Sequence, residues 1–358
     1  MADSSRLLSP LRVGRLPLQH RIVMAPLTRN RTNKDHIPLP LVAEYYGQKG
    51  FCYPHVPGIH NDAQVRAWRE ATDAVHSKGS YIFCQLWCLG RAADPGTAKS
   101  ENIEIVGPSA VPLSGVPVRE MTESEILDLI NDYVNAAKRA IEAGFDGVEI
   151  HGANGYMVDT FIQDVTNKRS DAWGGTIEKR CRFACEVVDA VSKAIGSDRV
   201  GIRLSPWSSF NGMKMEKPVP QFSSLIKKLS GRGLAYLHLV EARIAGNLDV
   251  EGGVEETLDF AMDVWGDAAP LIIAGGFTPE TARRAIDVTH QNRPNVAVAF
   301  GRYFISTPDL PFRIKENIAP NPYDRSTFYA AESPKGYTDY PYSDEWVARQ
   351  RKPSKSSF

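Results

Sequence analysis

Short apolar, β-branched runs punctuate the chain, and longer segments with apolar residues at helical spacing lie between them. The runs are 21–24 (RIVM), 81–86 (YIFCQL), 147–150 (GVEI), 200–204 (VGIRL), 235–240 (AYLHLV), 271–274 (LIIA) and 296–300 (VAVAF). Strands covered on both faces of a parallel sheet have this composition. The intervening helices carry readable ends. Thr122 precedes Glu125 as in a capping box. Ile126, Leu129, Ile130, Val134, Ala137 and Ile141 then form a stripe that stops at Gly144. A second helix begins near Thr176, carries Phe183, Val187, Val188, Val191 and Ile195, and stops at Gly196. A third starts at Thr278 with Pro279 in its first position. Strand and helix alternating in this way predict an α/β fold, and 358 residues suit a single (β/α)8 TIM barrel spanning 1–358.

The strand count falls one short of the eight a closed barrel needs. The segments 41–50 and 62–78 read as helices, and only FCYPHVPGIH stands between them. Pro54, Pro57 and Gly58 rule out a central strand there. The second βα unit is therefore expected to be deleted or shortened. The stretch 91–122 is rich in Pro and Gly and is expected to cross the barrel mouth.

Composition narrows the partners. Forty-two basic residues balance forty-two acidic ones, and the pI is near 7.1. That balance provides no electrostatic footprint for nucleic acid or an anionic membrane. No apolar run approaches the ~18 residues of a membrane span. The first twenty residues lack the apolar core of a signal peptide, so a cytoplasmic location is expected. Of five cysteines, Cys84 and Cys88 are spaced by four, as are Cys181 and Cys185. They read as small buried residues in a reducing compartment, with a thiol or metal site as the alternative. No metal is expected.

Barrel chemistry sits where the strands end. The fourth strand of the expected eight runs into His151, Asn154 and Tyr156, with Gly152 and Gly155 between them. His and Asn can share one carbonyl oxygen while Tyr supplies a weak acid. A polar loop with a satisfied structural histidine is the plain alternative. Gly275 and Gly276 follow one late strand, and Gly301 and Arg302 follow the last. Backbone N–H groups and a cation there suit a phosphate, although tight turns alone would also use glycine. Arg203 stands in an apolar strand, where a cation needs an anionic partner. Gln85 and Thr28 are further polar residues at strand ends. Together these describe a polar ring around a planar group with a phosphate pocket at one side.

These residues resemble the Old Yellow Enzyme family of FMN-dependent NADPH dehydrogenases, or ene-reductases. The resemblance is carried by MAPLTR (24–29), CQLW with GRAADP (84–95), DGVEIHGANGY (146–156), RSDAWGGTIEKRCRF (169–183), GIRLSP (201–206), IAGGF (273–277) and AFGRYFISTPDL (299–310). It covers nearly the whole chain, and its wording is closest to the fungal branch that includes reductases of ergot-alkaloid and other secondary-metabolite pathways. The resemblance implies an FMN-binding barrel, with NADPH as hydride donor and an enal or enone as substrate. It implies that His151 and Asn154 hold the carbonyl oxygen and that Tyr156 protonates the α-carbon. It places Pro26, Leu27, Thr28, Gln85 and Arg203 on the flavin ring. Gly275, Gly276, Gly301 and Arg302 would hold the phosphate, and Tyr53, Trp87 and Tyr329 would line the substrate pocket. Monomers and homodimers both fit.

The departure from the family lies between Gly50 and Phe51, where about twenty residues holding the second of eight strands are absent. Each buried edge group left unpaired costs about 1–3 kcal/mol, against the ~5–15 kcal/mol margin of a typical fold. Either residues are missing from this sequence, or 51–59 slides into the gap. Three further readings of function accompany the first. The same residues would serve a flavin-dependent double-bond isomerase. A degenerate barrel would bind no flavin. A flavin-free enzyme could use the phosphate pocket, but it leaves Arg203 and Gln85 unexplained.

Overall fold

The computed structural model describes residues 5–46, 57–246, 248, 249 and 256–351. Seven parallel strands form one sheet: β1 (Ile22–Met24), β2 (Phe83–Leu86), β3 (Gly147–Gly152), β4 (Val200–Leu204), β5 (Tyr236–Val240), β6 (Leu271–Ala274) and β7 (Val296–Phe300). Their order is β1-β7-β6-β5-β4-β3-β2, which is a (β/α)8 barrel short of one stave. Among the described residues β1 pairs only with β7, and β2 only with β3. The seam between β1 and β2 is where the second strand was expected to be missing. Helices α1 (Pro40–Tyr46) and α2 (Asp62–His76) flank that place. Residues 57–59 are not strand, so this part of 51–59 does not fill the gap. Residues 51–56, Tyr53 among them, lie outside the described residues.

The outer layer continues with α3 (Glu123–Glu142), α4 (Met157–Ile162), α5 (Ile177–Ile195), α6 (Pro218–Ser230), α7 (Asp259–Trp265) and α8 (Pro279–Arg284). The predicted caps are present. Thr122 and Glu125 form a reciprocal capping box, Thr176 accepts from the Lys179 amide, and Thr278 caps a helix with Pro279 in its first turn. The buried stripe of α3 is rotated from the expected one. Tyr133 and Ala140 join Ile126, Ile130 and Ala137 in the core, while Leu129 and Val134 lie at its edge. The excursion at 91–122 holds a short helix, Pro95–Ser100, and a two-residue parallel pairing of Val106–Gly107 with Arg119–Glu120.

Alternation along the strands separates two cores. Val148, Ile150, Ile202, Leu237, Leu239, Ile273 and Val298 face the helices in the larger one. Ala235, Tyr236, Ile272, Ala274, Ala297 and Ala299 face the barrel interior. Alanines on the inner face of β6 and β7 leave space where a packed barrel carries bulky residues.

Candidate active site

A cavity of about 2100 Å³ fills the interior and reaches the mouth. It is lined by Pro26, Leu27 and Thr28 after β1, by Gln85 on β2 and Trp87 just after it, by His151, Asn154 and Tyr156, and by Arg203. It is also lined by Gly275, Gly276, Gly301, Arg302 and Tyr329. The structure thus brings together every residue expected at the site except Tyr53, which lies outside the described residues. Tyr329 sits at the rim, 42% exposed.

The floor is a ring pair. Phe83 and Tyr236 meet at 5.4 Å between centroids. Their rings occupy the space where Gly147 and Gly201 lack a side chain, since a Cβ at either would sit 2.4 Å from a ring carbon. Glu149 comes next on β3, in register with Gln85. Gln85 Nε2 donates to Glu149 Oε1 at 2.7 Å, and His238 Nδ1 lies 2.8 Å from Glu149 Oε2. Burial pushes Glu149 up, but the charges facing it and these hydrogen bonds outweigh burial and leave it ionised. Burial first, then the charge of Arg203, pulls His238 down, so the imidazole is neutral and donates through Nδ1. The Glu149 charge opposes the pull of burial on Arg203, whose Nε has no partner among the described residues.

One layer higher, His151 registers with Arg203. Burial and then the Arg203 charge pull His151 down to about 3, so it is a neutral donor at physiological pH. His151 and Tyr156 ring centroids are 5.1 Å apart, and Trp87 meets Tyr156 edge-on at 4.8 Å. His151 Nδ1 and Asn154 Oδ1 are buried without a hydrogen-bond partner among the described residues.

The loop carrying Asn154 and Tyr156 is fixed from three sides. Asn154 N donates to Ser205 Oγ at 2.8 Å, Gly155 N donates to Asp159 Oδ2 at 2.8 Å, and Asn211 Nδ2 donates to Asn154 O at 3.0 Å. Gly155 has φ 74°, and a Cβ there would lie 2.7 Å from both Asn211 Cβ and Met213 Cγ. No side chain fits that turn.

At the expected phosphate end, Arg302 is already paired. Its Nη1 donates to Asp249 Oδ2 at 2.6 Å and to Tyr323 OH at 3.2 Å, its Nη2 also reaches Asp249, and Arg325 Nη2 joins the same carboxylate at 3.2 Å. Asp249, Arg325 and Tyr323 were not picked out in the sequence, because loop contacts leave no periodic signal. Glu149 and His238 could have been found. Each is a polar residue inside an apolar strand run, the same mark that selected Gln85 and Arg203. Arg29, within MAPLTR, lies outside the cavity lining and is fully buried. It donates from Nε to Phe328 O and from Nη2 to Gly336 O, tying the C-terminal segment over the mouth.

Four described cysteines are free, and burial raises the thiol pKa of each. Among the described residues no cluster could hold a metal, and no helix is long and apolar enough to cross a membrane.

Comparison with known proteins agrees with this geometry. A chanoclavine-I aldehyde reductase of Penicillium roqueforti (strain FM164) is 49% identical over 363 residues, covering 96% of this chain and 98% of that protein. As 96% of 358 residues is about 344, about 19 of those 363 positions hold no residue of this chain. This is the size of the missing βα unit. A probable inactive reductase of Epichloe festucae var. lolii is 43% identical and covers 98% of both chains. The crystal structure of the Old Yellow Enzyme homologue from Zymomonas mobilis superposes with a TM-score of 0.86 at 37% identity, over 94% of this chain and 99% of that one. Residues 47–321 match the NADH:flavin oxidoreductase / NADH oxidase family. The chain belongs to that family, the Old Yellow Enzyme group that its motifs resemble, and is an oxidoreductase.

Proposed function

We propose that the chain is a single FMN-binding barrel over 1–358 that uses NADPH to reduce the C=C bond of an α,β-unsaturated aldehyde or ketone. We place the reaction in the cytoplasm and in fungal secondary metabolism; the name of the Penicillium relative, a chanoclavine-I aldehyde reductase, supports an aldehyde as substrate. One observation carries the reading. His151, whose buried Nδ1 lacks a partner among the described residues, and Asn154 stand beside Tyr156 on the wall of one cavity.

The residues fit an FMN. Arg203 offers a cation whose Nε has no partner among the described residues, and Gln85 and Thr28 offer polar groups along the same cavity; Gly275, Gly276 and Gly301 line its end, where the Glu241 carboxylate stands against Gly275. A bound FMN would take hydride from NADPH and pass it to the substrate β-carbon. His151 and Asn154 would hold the carbonyl oxygen and draw electron density onto it. His151 does so as a neutral N–H, because burial and then the Arg203 charge keep it from taking a second proton. Tyr156 would deliver the proton to the α-carbon, with Trp87 fixing its ring.

The test is the visible spectrum of the purified, desalted chain, then anaerobic NADPH. A yellow protein that bleaches supports the reading. The lack of a strand between β1 and β2 among the described residues and the pairing of Arg302 with Asp249 favour a second reading, a barrel that holds no flavin. A colourless chain that turns yellow once a βα unit is restored assigns the loss to the seam. A chain that stays colourless after restoration overturns the flavin assignment. Product formation without net NADPH consumption would identify a double-bond isomerase at the same residues.

A further inference from the structure

Glu149 is 4% exposed and no step of the proposed reaction uses it. A carboxylate is kept ionised in a barrel interior only where donors and a cation compensate its lost hydration. Here the donors come from two other strands. Gln85 Nε2 on β2 donates to one oxygen and His238 Nδ1 on β5 to the other. The cation is Arg203 on β4, the neighbouring strand.

Each bond has a consequence on the cavity side. An amide that gives its N–H to Glu149 leaves its carbonyl oxygen to face the cavity, so Gln85 is presented there as an acceptor. An imidazole that gives Nδ1–H to a carboxylate carries its lone pair on Nε2, and His238 Nε2 is buried without a partner among the described residues. Arg203 is left with its charge balanced from within the protein rather than by a ligand.

We propose that Glu149 is a positioning residue for the flavin. It fixes which atom Gln85 presents, fixes the tautomer of His238, and divides the field of Arg203 between itself and the bound ring. The assignment rests on the flavin reading above. Without the Glu149 charge, the field of Arg203 falls undivided on the ligand. The reduced flavin bears more negative charge than the oxidised one and gains more from that field. Loss of the amide orientation weakens both states.

The experiment uses FMN-loaded protein and two readouts besides turnover. Release of FMN on dilution, followed by its fluorescence, gives the Kd of the oxidised state. The midpoint potential of bound against free FMN gives the ratio of reduced to oxidised Kd. Glu149→Gln is expected to weaken oxidised FMN at least tenfold and to raise the potential by about 30 mV, a tenfold change in that ratio for two electrons. Glu149→Asp keeps the charge on a shorter arm. It is expected to weaken FMN at least threefold with the potential unchanged, so the contrast between the two variants separates the charge from the arm that carries it. A purely structural role would weaken both states equally. An unmoved potential in Glu149→Gln, or an unmoved Kd in Glu149→Asp, therefore overturns the assignment. Protein that holds no FMN even with the βα unit restored removes the flavin reading itself, whereas FMN-bound wild type beside unmoved variants removes only the role of Glu149.

Discussion

The backbone N–H of Gly155 donates to the Asp159 carboxylate at 2.8 Å, so a side chain one turn downstream holds the loop that presents Asn154 and Tyr156. Gln163 Nε2 occupies the other oxygen at 2.9 Å. Burial raises Asp159 to about 7, against the hydrogen bonds from Gln163 and Gly155. Asp159→Ala leaves two buried donors without an acceptor, each costing about 1–3 kcal/mol. Urea unfolding should show a loss in that range or larger, and a midpoint within error of wild type would refute the anchoring role. Substrate KM should rise as the loop loosens, while NADPH oxidation by the bound cofactor changes little.

Gly155→Ala tests the same loop sterically. The substitution meets two side-chain carbons at 2.7 Å and a φ of 74°. A destabilisation of about 1–3 kcal/mol is expected from the backbone alone. A neutral result in thermal unfolding would mean the turn adopts another conformation.

Tyr156→Phe retains the ring against Trp87 and removes the proton. Rapid mixing with NADPH should show cofactor reduction largely kept, and mixing the reduced protein with an enal should show alkene reduction falling by 10²–10⁴-fold, the usual size of an acid–base contribution. Equal survival of both half-reactions removes Tyr156 from the proton transfer.

His151 makes stability pH-dependent with a fixed sign. In the folded chain, burial and the Arg203 charge hold it down near 3, while an unfolded histidine titrates near 6.5. Below about 6.5 the unfolded state takes up a proton that the folded state refuses, so stability falls with pH by about 1 kcal/mol per unit until near 3. Above that window His151 contributes no slope. Comparing urea midpoints at pH 7.5 and 5.5, His151→Asn should lose about 1 kcal/mol less than wild type. An equal loss in both proteins would show that His151 is charged in the fold.

Asp249 pairs with Arg302, the cation that the proposed flavin phosphate would use. Asp249→Asn should therefore tighten FMN by severalfold and leave riboflavin, which has no phosphate, unchanged. Calorimetry with both ligands separates the effects. Equal shifts would mean that Asp249 acts on the fold of its loop and not on the anion site.

The sequence made the strands legible because β-branched runs and helix caps are local. The residues 200–204, 271–274 and 296–300 coincide with β4, β6 and β7. The strand expected at 147–150 runs on to Gly152, because His151 and Gly152 still pair with Arg203 and Leu204. His151, where that strand was expected to end, is paired within it and lines the cavity. Loop anchors were beyond reach for a different reason. Ser205, Asp159 and Asn211 act through contacts that only folding creates. The missing stave was legible as an absence, since two prolines and a glycine cannot stand in for a central strand.

The two cores lie on opposite faces of the same strands, so neighbouring positions answer to different selections. Ile273 and Val298 are read by solubility, whereas Ala274 and Ala299, one residue along each strand, are read by what the cavity admits. A mutant library over β6 and β7 scored once for soluble yield and once for bound colour should split by parity. Adaptation to a new substrate could then proceed along every second residue while the fold is conserved along the others.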